Sequence, residues 1–162
     1  HFDDAVSDYM KARDLSKQRD WLKREDPTII SNLANAETGL GNWQDALRDF
    51  TKSSDIDKTI MAPKIGKSLV LYQLDRKQEA MDIMKQILDQ YPQTFTDGQA
   101  AVAVMGYDIS GGDIPSLERG KVMWREVVST DPRYEDMDWL LNIRRWPPKL
   151  VAATEVFRKA IE

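Results

Sequence analysis

The chemistry open to this chain is limited first by the side chains it lacks. Its 162 residues include no cysteine and one histidine, His1. Without cysteine there is no disulfide, no thiolate metal site and no thiol nucleophile. With the single imidazole at position 1, a Ser-His-Asp triad, a histidine-rich zinc site and a histidine general base are not expected. Carboxylates are plentiful, and three groups stand close in sequence: Asp3-Asp4, Asp55 with Asp57, and Glu135-Asp136 with Asp138. General acid–base work would need one carboxyl in a dry cleft, so that its pKa departs from that of its neighbour. Nothing around these groups supplies such a cleft, so they are expected at helix ends or on solvated faces. They also lack the Asp/Asn-Gly-Glu order of a calcium loop. Gly111-Gly112 has neither the spaced glycine nor the Lys-Ser/Thr of a phosphate loop. The expectation is a non-enzyme with no cofactor and no metal.

Charge narrows the partners. With 23 basic and 27 acidic residues the net charge is −4, which argues against nucleic-acid binding, since phosphate backbones require a concentrated positive face. Residues 17–19, Lys23-Arg24 and Arg144-Arg145 are basic but interleaved with acids and apolar residues, as solvated faces are. Arg144-Arg145 differs in standing beside Trp146. A planar guanidinium near an aromatic ring can hold a partner's carboxylate, so Arg144, Arg145 and Trp146 are candidates for a secondary contact. No apolar run approaches the roughly 20 residues that span a bilayer, and membrane association is expected only through a partner.

The elements that must position these groups show up as a repeat. Ala46 and Ala80 stand 34 residues apart, the period of a helix–turn–helix unit. Two antiparallel helices that pack closely need a small residue where their backbones cross and large residues around it. In residues 27–58 the small positions are Ala34 and Ala46, with Leu33, Leu40, Trp43, Leu47 and Phe50 as fillers. Asp26-Pro27 opens the first helix, because proline at the first turn sacrifices no hydrogen bond. Gly41-Asn42 turns the chain, with Asn42 expected to cap the second helix. In residues 60–92 the small positions are Ser68 and Ala80, Leu71 and Met84 are among the fillers, Asp75-Arg76-Lys77 turns the chain, and Pro92 closes the unit.

A third unit, residues 93–132, is degenerate. Its helices are expected near 97–109, rich in small residues, and 115–128, where Gly120 and Trp124 take the small and aromatic positions. Pro132 follows Pro92 by 40 residues, and the excess over the period falls in the loop 110–114. At the other end, Ala5, Tyr9 and Ala12 in residues 1–15 match the second helix of a repeat whose first helix is missing, the alternative being that Phe2 to Leu15 is an N-terminal capping helix. A chain that begins with His1 rather than Met reads as a processed form or a fragment. Residues 16–25 read as a charged connection. Residues 133–162 form a cap, in which Pro147-Pro148 starts a last helix near 149–161. Leu150, Val151, Ala153, Val156, Phe157 and Ile161 give that helix its apolar stripe, with Trp139 and Trp146 as core.

The run Leu33-Ala34 to Gly41-Asn42-Trp43, Ala46 and Phe50, repeated by Ala80, Met84 and Pro92, resembles the tetratricopeptide repeat (TPR) family over most of the chain. That resemblance implies an all-α fold, a right-handed α-solenoid of helix–turn–helix units, here closed by a C-terminal capping helix. It also implies a protein-binding groove lined by the first helices of successive units. Here those positions are Thr28, Ser31, Asn35 and Thr38 of one helix, then Ile65, Leu69, Tyr72 and Gln73 of the next, with Ala62, Asp97 and Ala101 beside them. Such a surface suits an extended segment or a helix of a partner protein. Tyr72 with Gln73 is expected at the centre and Asn35 as a guide to the partner's backbone. The carboxylate clamp known in the family is not expected: Asn35 fits one place, but Ser31, Gly66, Thr94 and Gly98 cannot supply the charge.

The segment Asp131-Pro132-Arg133-Tyr134, Asp138-Trp139-Leu140 and Asn142 to Pro148 is similar to the ending of TPR proteins of cyanobacteria and chloroplasts, some of them thylakoid-associated. That similarity implies a chloroplast protein on the thylakoid, with the lumen favoured. Its role would be a non-enzymatic scaffold that binds photosystem subunits and stabilises or helps assemble the complex. Two alternatives are a substrate-recruiting segment of a larger enzyme and a general TPR adaptor with no link to photosynthesis.

Overall fold

The computed structural model describes residues 2–19, 25–91 and 95–162. These residues form α1 (Phe2–Arg19), α2 (Pro27–Leu40), α3 (Trp43–Ile56), α4 (Ala62–Gln73), α5 (Lys77–Gln90), α6 (Thr96–Ile109) and α7 (Ile114–Thr130). A 3-10 turn (Pro132–Glu135), α8 (Met137–Asn142) and α9 (Pro148–Ile161) complete them. Among the described residues there is no strand. The chain divides into two compact units, His1–Val70 and Leu71–Glu162, and the division falls inside α4.

In the N-terminal unit α2 packs against both α1 and α3. Ala34 and Ala46 are fully buried, as a close backbone approach requires, and Leu33 and Phe50 fill the space around them. The Phe50 ring lies on Gly66, where an added Cβ would come within 2.4 Å of it. The start of α2 follows from Asp26, whose carboxylate accepts the amide of Thr28 at 2.7 Å, with Pro27 in the first turn. Its end follows from Gly41, which takes a left-handed φ of 77° and lets the chain reverse. Asn42 does precede α3, but its side chain makes no capping bond. A second revision concerns 16–25: α1 continues to Arg19, and Lys17 and Lys52 both hold Glu25. Trp21 and the rest of 20–24 lie outside the described residues, as do His1, Pro92 and Thr94.

In the C-terminal unit α6 packs against α5, α7 and α9. Ala80 is fully buried. Gly120 occupies the matching place on α7, so close to α6 that an added Cβ would sit 3.1 Å from the Ala103 carbonyl oxygen. Of the loop expected at 110–114, residues 110–113 are outside the helices and Ile114 already opens α7. Gly111 and Gly112 have φ of 71° and 83°, and Asp113 starts α7 by accepting the Ser116 amide at 2.7 Å. On α9 the buried positions are Leu150, Val151, Thr154 and Phe157, whereas Val156 is 61% exposed. Thr154 fits inside because its hydroxyl donates to the Leu150 carbonyl at 2.8 Å. The Phe157 ring packs at 5.6 Å from Tyr107 and 5.7 Å from Trp124.

Candidate interaction surfaces

On α2 the expected groove residues separate by exposure. Thr28 and Asn35 are exposed, Thr38 is half-buried and Ser31 is buried. The Thr38 hydroxyl donates to the Asn35 carbonyl at 2.7 Å, so it is consumed within the helix. The Asn35 carboxamide has no hydrogen-bond partner among the described residues. On α4, Ile65 and Leu69 are half-buried.

Tyr72 is in a different position from the one its spacing suggested. It is 1% exposed, and its hydroxyl donates to Asp108 at 2.5 Å. Burial and the Asp108 carboxylate push the hydroxyl's pKa up, so it stays a neutral donor. Lys77 reaches the same carboxylate at 2.8 Å and lies over the Tyr72 ring. Gln73, expected at the centre of a partner contact, binds its own chain instead: its Oε1 accepts the Lys149 amide at 3.0 Å, while Lys149 Nζ holds Asp75 at 2.5 Å. Of the expected pair, Gln73 therefore secures the start of α9 and Tyr72 bonds to the end of α6.

The C-terminal aromatic and basic residues are likewise used internally. Trp146 is 3% exposed and meets the Tyr134 ring edge-on. Arg144 is ion-paired with Asp97, which also accepts the Tyr134 hydroxyl, and its guanidinium lies over Trp139 at 5.7 Å. Arg145 is exposed with a left-handed φ of 57°. Arg144 thus holds the cap to α6, and Trp146 packs within the cap. The acids at 3–4, 57 and 136 sit where expected: the first two in the opening turn of α1, Asp57 on Thr59, and Asp136 accepting the Trp139 amide at 3.0 Å.

Sequence reasoning missed a buried charged knot in the N-terminal unit. Glu37 on α2 and Asp49 on α3 are 4% and 3% exposed. Arg48 donates to Asp49 at 2.8 Å and to Asp45 at 2.5 Å, and its other nitrogen is 3.9 Å from Glu37. Glu37 Oε2 and Asp49 Oδ2 are buried without a hydrogen-bond partner. Burial first, then Asp49 and Asp45, push the Glu37 carboxyl up to about 7, against the opposing pull of Arg48 and Arg13. The one available signal was an acid at a position of α2 that the helical period turns inward.

Two clefts are walled by the C-terminal unit. One, of about 410 Å³, lies between Tyr72, Lys77, Tyr107 and Asp108 on one side and the Lys149, Ala152 and Val156 face of α9 on the other. The second, of about 400 Å³, lies between α5, α6 and α7. Among the described residues no three His, Cys, Asp or Glu side chains gather as a metal site, and no helix is long and apolar enough to cross a membrane.

No protein-family model matches the chain, and no curated protein matches it. Solved structures do. A crystal structure of MamA superposes with a TM-score of 0.62 at 15% identity, over 98% of this chain and 88% of that one. MamA 41-end from Desulfovibrio magneticus RS-1 superposes with a TM-score of 0.57 at 21% identity, over 98% and 94%. With the all-helical architecture, this similarity places the chain among all-α helical-repeat folds of the TPR-like kind.

Proposed function

We propose that this chain is a non-enzymatic scaffold that recognises a protein partner through the exposed stripe of α2. The observation that carries this reading is the Asn35 carboxamide: it is exposed, has no partner among the described residues, and is held on a helix packed on two sides. A donor and acceptor fixed in this way can pair with the backbone of an extended segment without first being ordered, which limits the entropic penalty of association. Thr28, two turns away on the same face, extends the stripe, and Ile65 and Leu69 on α4 offer half-buried apolar contacts. Tyr72 and Gln73 are engaged within their own unit, with α6 and with the start of α9.

We place the scaffold in the chloroplast, at the thylakoid and on its lumenal side, bound to a photosystem complex that it stabilises or helps assemble. The support for this setting is the sequence of 131–148 and its similarity to the endings of thylakoid-associated TPR proteins. The full-length protein, tagged in its own cells and purified from gently solubilised membranes, should retain photosystem subunits. Recovery of soluble enzymes alone would overturn the setting. The double substitution Thr28→Ala with Asn35→Ala should then abolish that capture while circular dichroism stays helical; undiminished capture would remove α2 from the contact.

A further inference from the structure

The cleft between α5, α6 and α7 combines an apolar interior with charges that form no ion pair among the described residues. Its floor is Val102, Gly106 and Ile109 of α6, and its walls carry Met81 of α5 and Met123 of α7. Gly106 makes the space: a Cβ there would come 3.2 Å from the Met81 methyl, so that thioether lies across a position with no side chain. Lys85 stands on the α5 side and Arg119 on the α7 side, both exposed. In the same unit Arg76, Lys77, Arg133, Arg144 and Lys149 each hold a carboxylate. Among the described residues Lys85 and Arg119 form no ion pair. Arg119 donates to the Ser116 hydroxyl at 2.9 Å, which keeps it at the mouth of the cleft. The nearby Asp113 carboxylate is engaged with the Ser116 amide and senses Arg119 only through space.

We propose that this cleft docks an acidic amphipathic helix of a partner protein. About 400 Å³, open along one side, admits a few aliphatic side chains while leaving their backbone outside. Methionines on opposite walls suit such side chains because a thioether adapts its rotamer to what it meets. Glutamates or aspartates flanking the apolar stripe would meet Lys85 on one wall and Arg119 on the other, so charge selects an acidic helix over a basic one. None of the α2 stripe lines this cleft, so the inference stands apart from the proposed function and fails separately from it.

The test uses the full chain and a fluorescent, end-blocked peptide of about 18 residues, long enough to be helical. Leucines recur in it at i, i+3, i+4 and i+7, with glutamates on both flanks; two further versions carry glutamine or lysine in place of glutamate. Binding is read by anisotropy, and the methionine methyl signals are followed by NMR. The glutamate peptide should bind and shift the Met81 and Met123 methyls. Lys85→Ala with Arg119→Ala should weaken it about tenfold or more, glutamine should weaken it similarly, and the lysine version should not bind. Gly106→Leu should block the cleft with both charges in place. Lys85 and Arg119 are exposed, so their double variant should melt like the parent. No binding, equal affinity for the glutamate and glutamine peptides, unchanged affinity in the double variant, or methyl shifts elsewhere would each overturn the proposal.

Discussion

The two units use the same packing of small residues against large ones but treat buried polarity in opposite ways. The N-terminal unit buries ionisable groups: Glu37 and Asp49 sit between helices, tied by Arg48, with one oxygen of each carboxylate unpartnered. The C-terminal unit buries neutral donors and keeps their acids at the edge. Tyr72 and Tyr134 are inside, and each gives its hydroxyl to a half-buried aspartate, Asp108 or Asp97, that a cation also holds. A neutral donor facing a paired acid is satisfied at any ordinary pH. A buried acid facing another acid is not. The N-terminal unit should therefore respond to pH and the C-terminal unit should respond to loss of packing.

The largest effect should come from Phe157→Ala. The ring is fully buried against Gly120, Tyr107 and Trp124, and its removal should cost about 3–5 kcal/mol. Hydrogen exchange read by mass spectrometry should show lost protection in α6, α7 and α9 and unchanged protection in α2 and α3. Equal loss in α2 and α3 would mean that the two units unfold as one.

The next effect is the pH response. Folding raises the Glu37 carboxyl from its ordinary value near 4.5 to about 7. Between those values the folded chain holds the extra proton, so stability from this group is fully present below about 4.5 and is lost as pH rises through 7. The unfolding free energy from denaturant curves should be higher at pH 5 than at pH 8, by about 2–3 kcal/mol. Glu37→Gln should flatten the dependence, and a parent with no pH dependence in this window would break the contrast between the units.

Two smaller substitutions sharpen it. Tyr72→Phe removes one donor to a carboxylate that Lys77 still holds, and should cost about 1–2 kcal/mol with no change in pH profile. Lys149→Ala removes an exposed ion pair with Asp75 but keeps the amide bond to Gln73, and the melting temperature should stay close to that of the parent. A larger loss would show that α9 is held by charge as much as by Phe157.

Much of the helical register was legible because it rests on local rules. Asp26-Pro27 and Gly41 bracket α2 through hydrogen bonds that reach no further than four residues. The alanines at 46 and 80 and the glycine at 120 are buried, as their spacing required. The capping role of Asn42 failed because a side chain at that position can also turn to solvent, and periodicity does not choose between the two. The candidate site was less legible. Thr28 and Asn35 are exposed, but an outward aromatic and an inward one share the same helical period, and Tyr72 is inside.

What the sequence determined by itself is the kind of element at most places, where most helices begin and end, and that the chain has no thiol to offer. These follow from backbone sterics, capping and side-chain inventory, which act over a few residues. Only the tertiary structure decided that Gln73 and Asp97 are taken up by the chain's own C-terminal segment, that Glu37 faces Asp49 in the core, and that Lys85 and Arg119 flank an apolar cleft. Each depends on partners between 12 and 76 residues away in sequence, and such pairings are fixed by how whole helices pack.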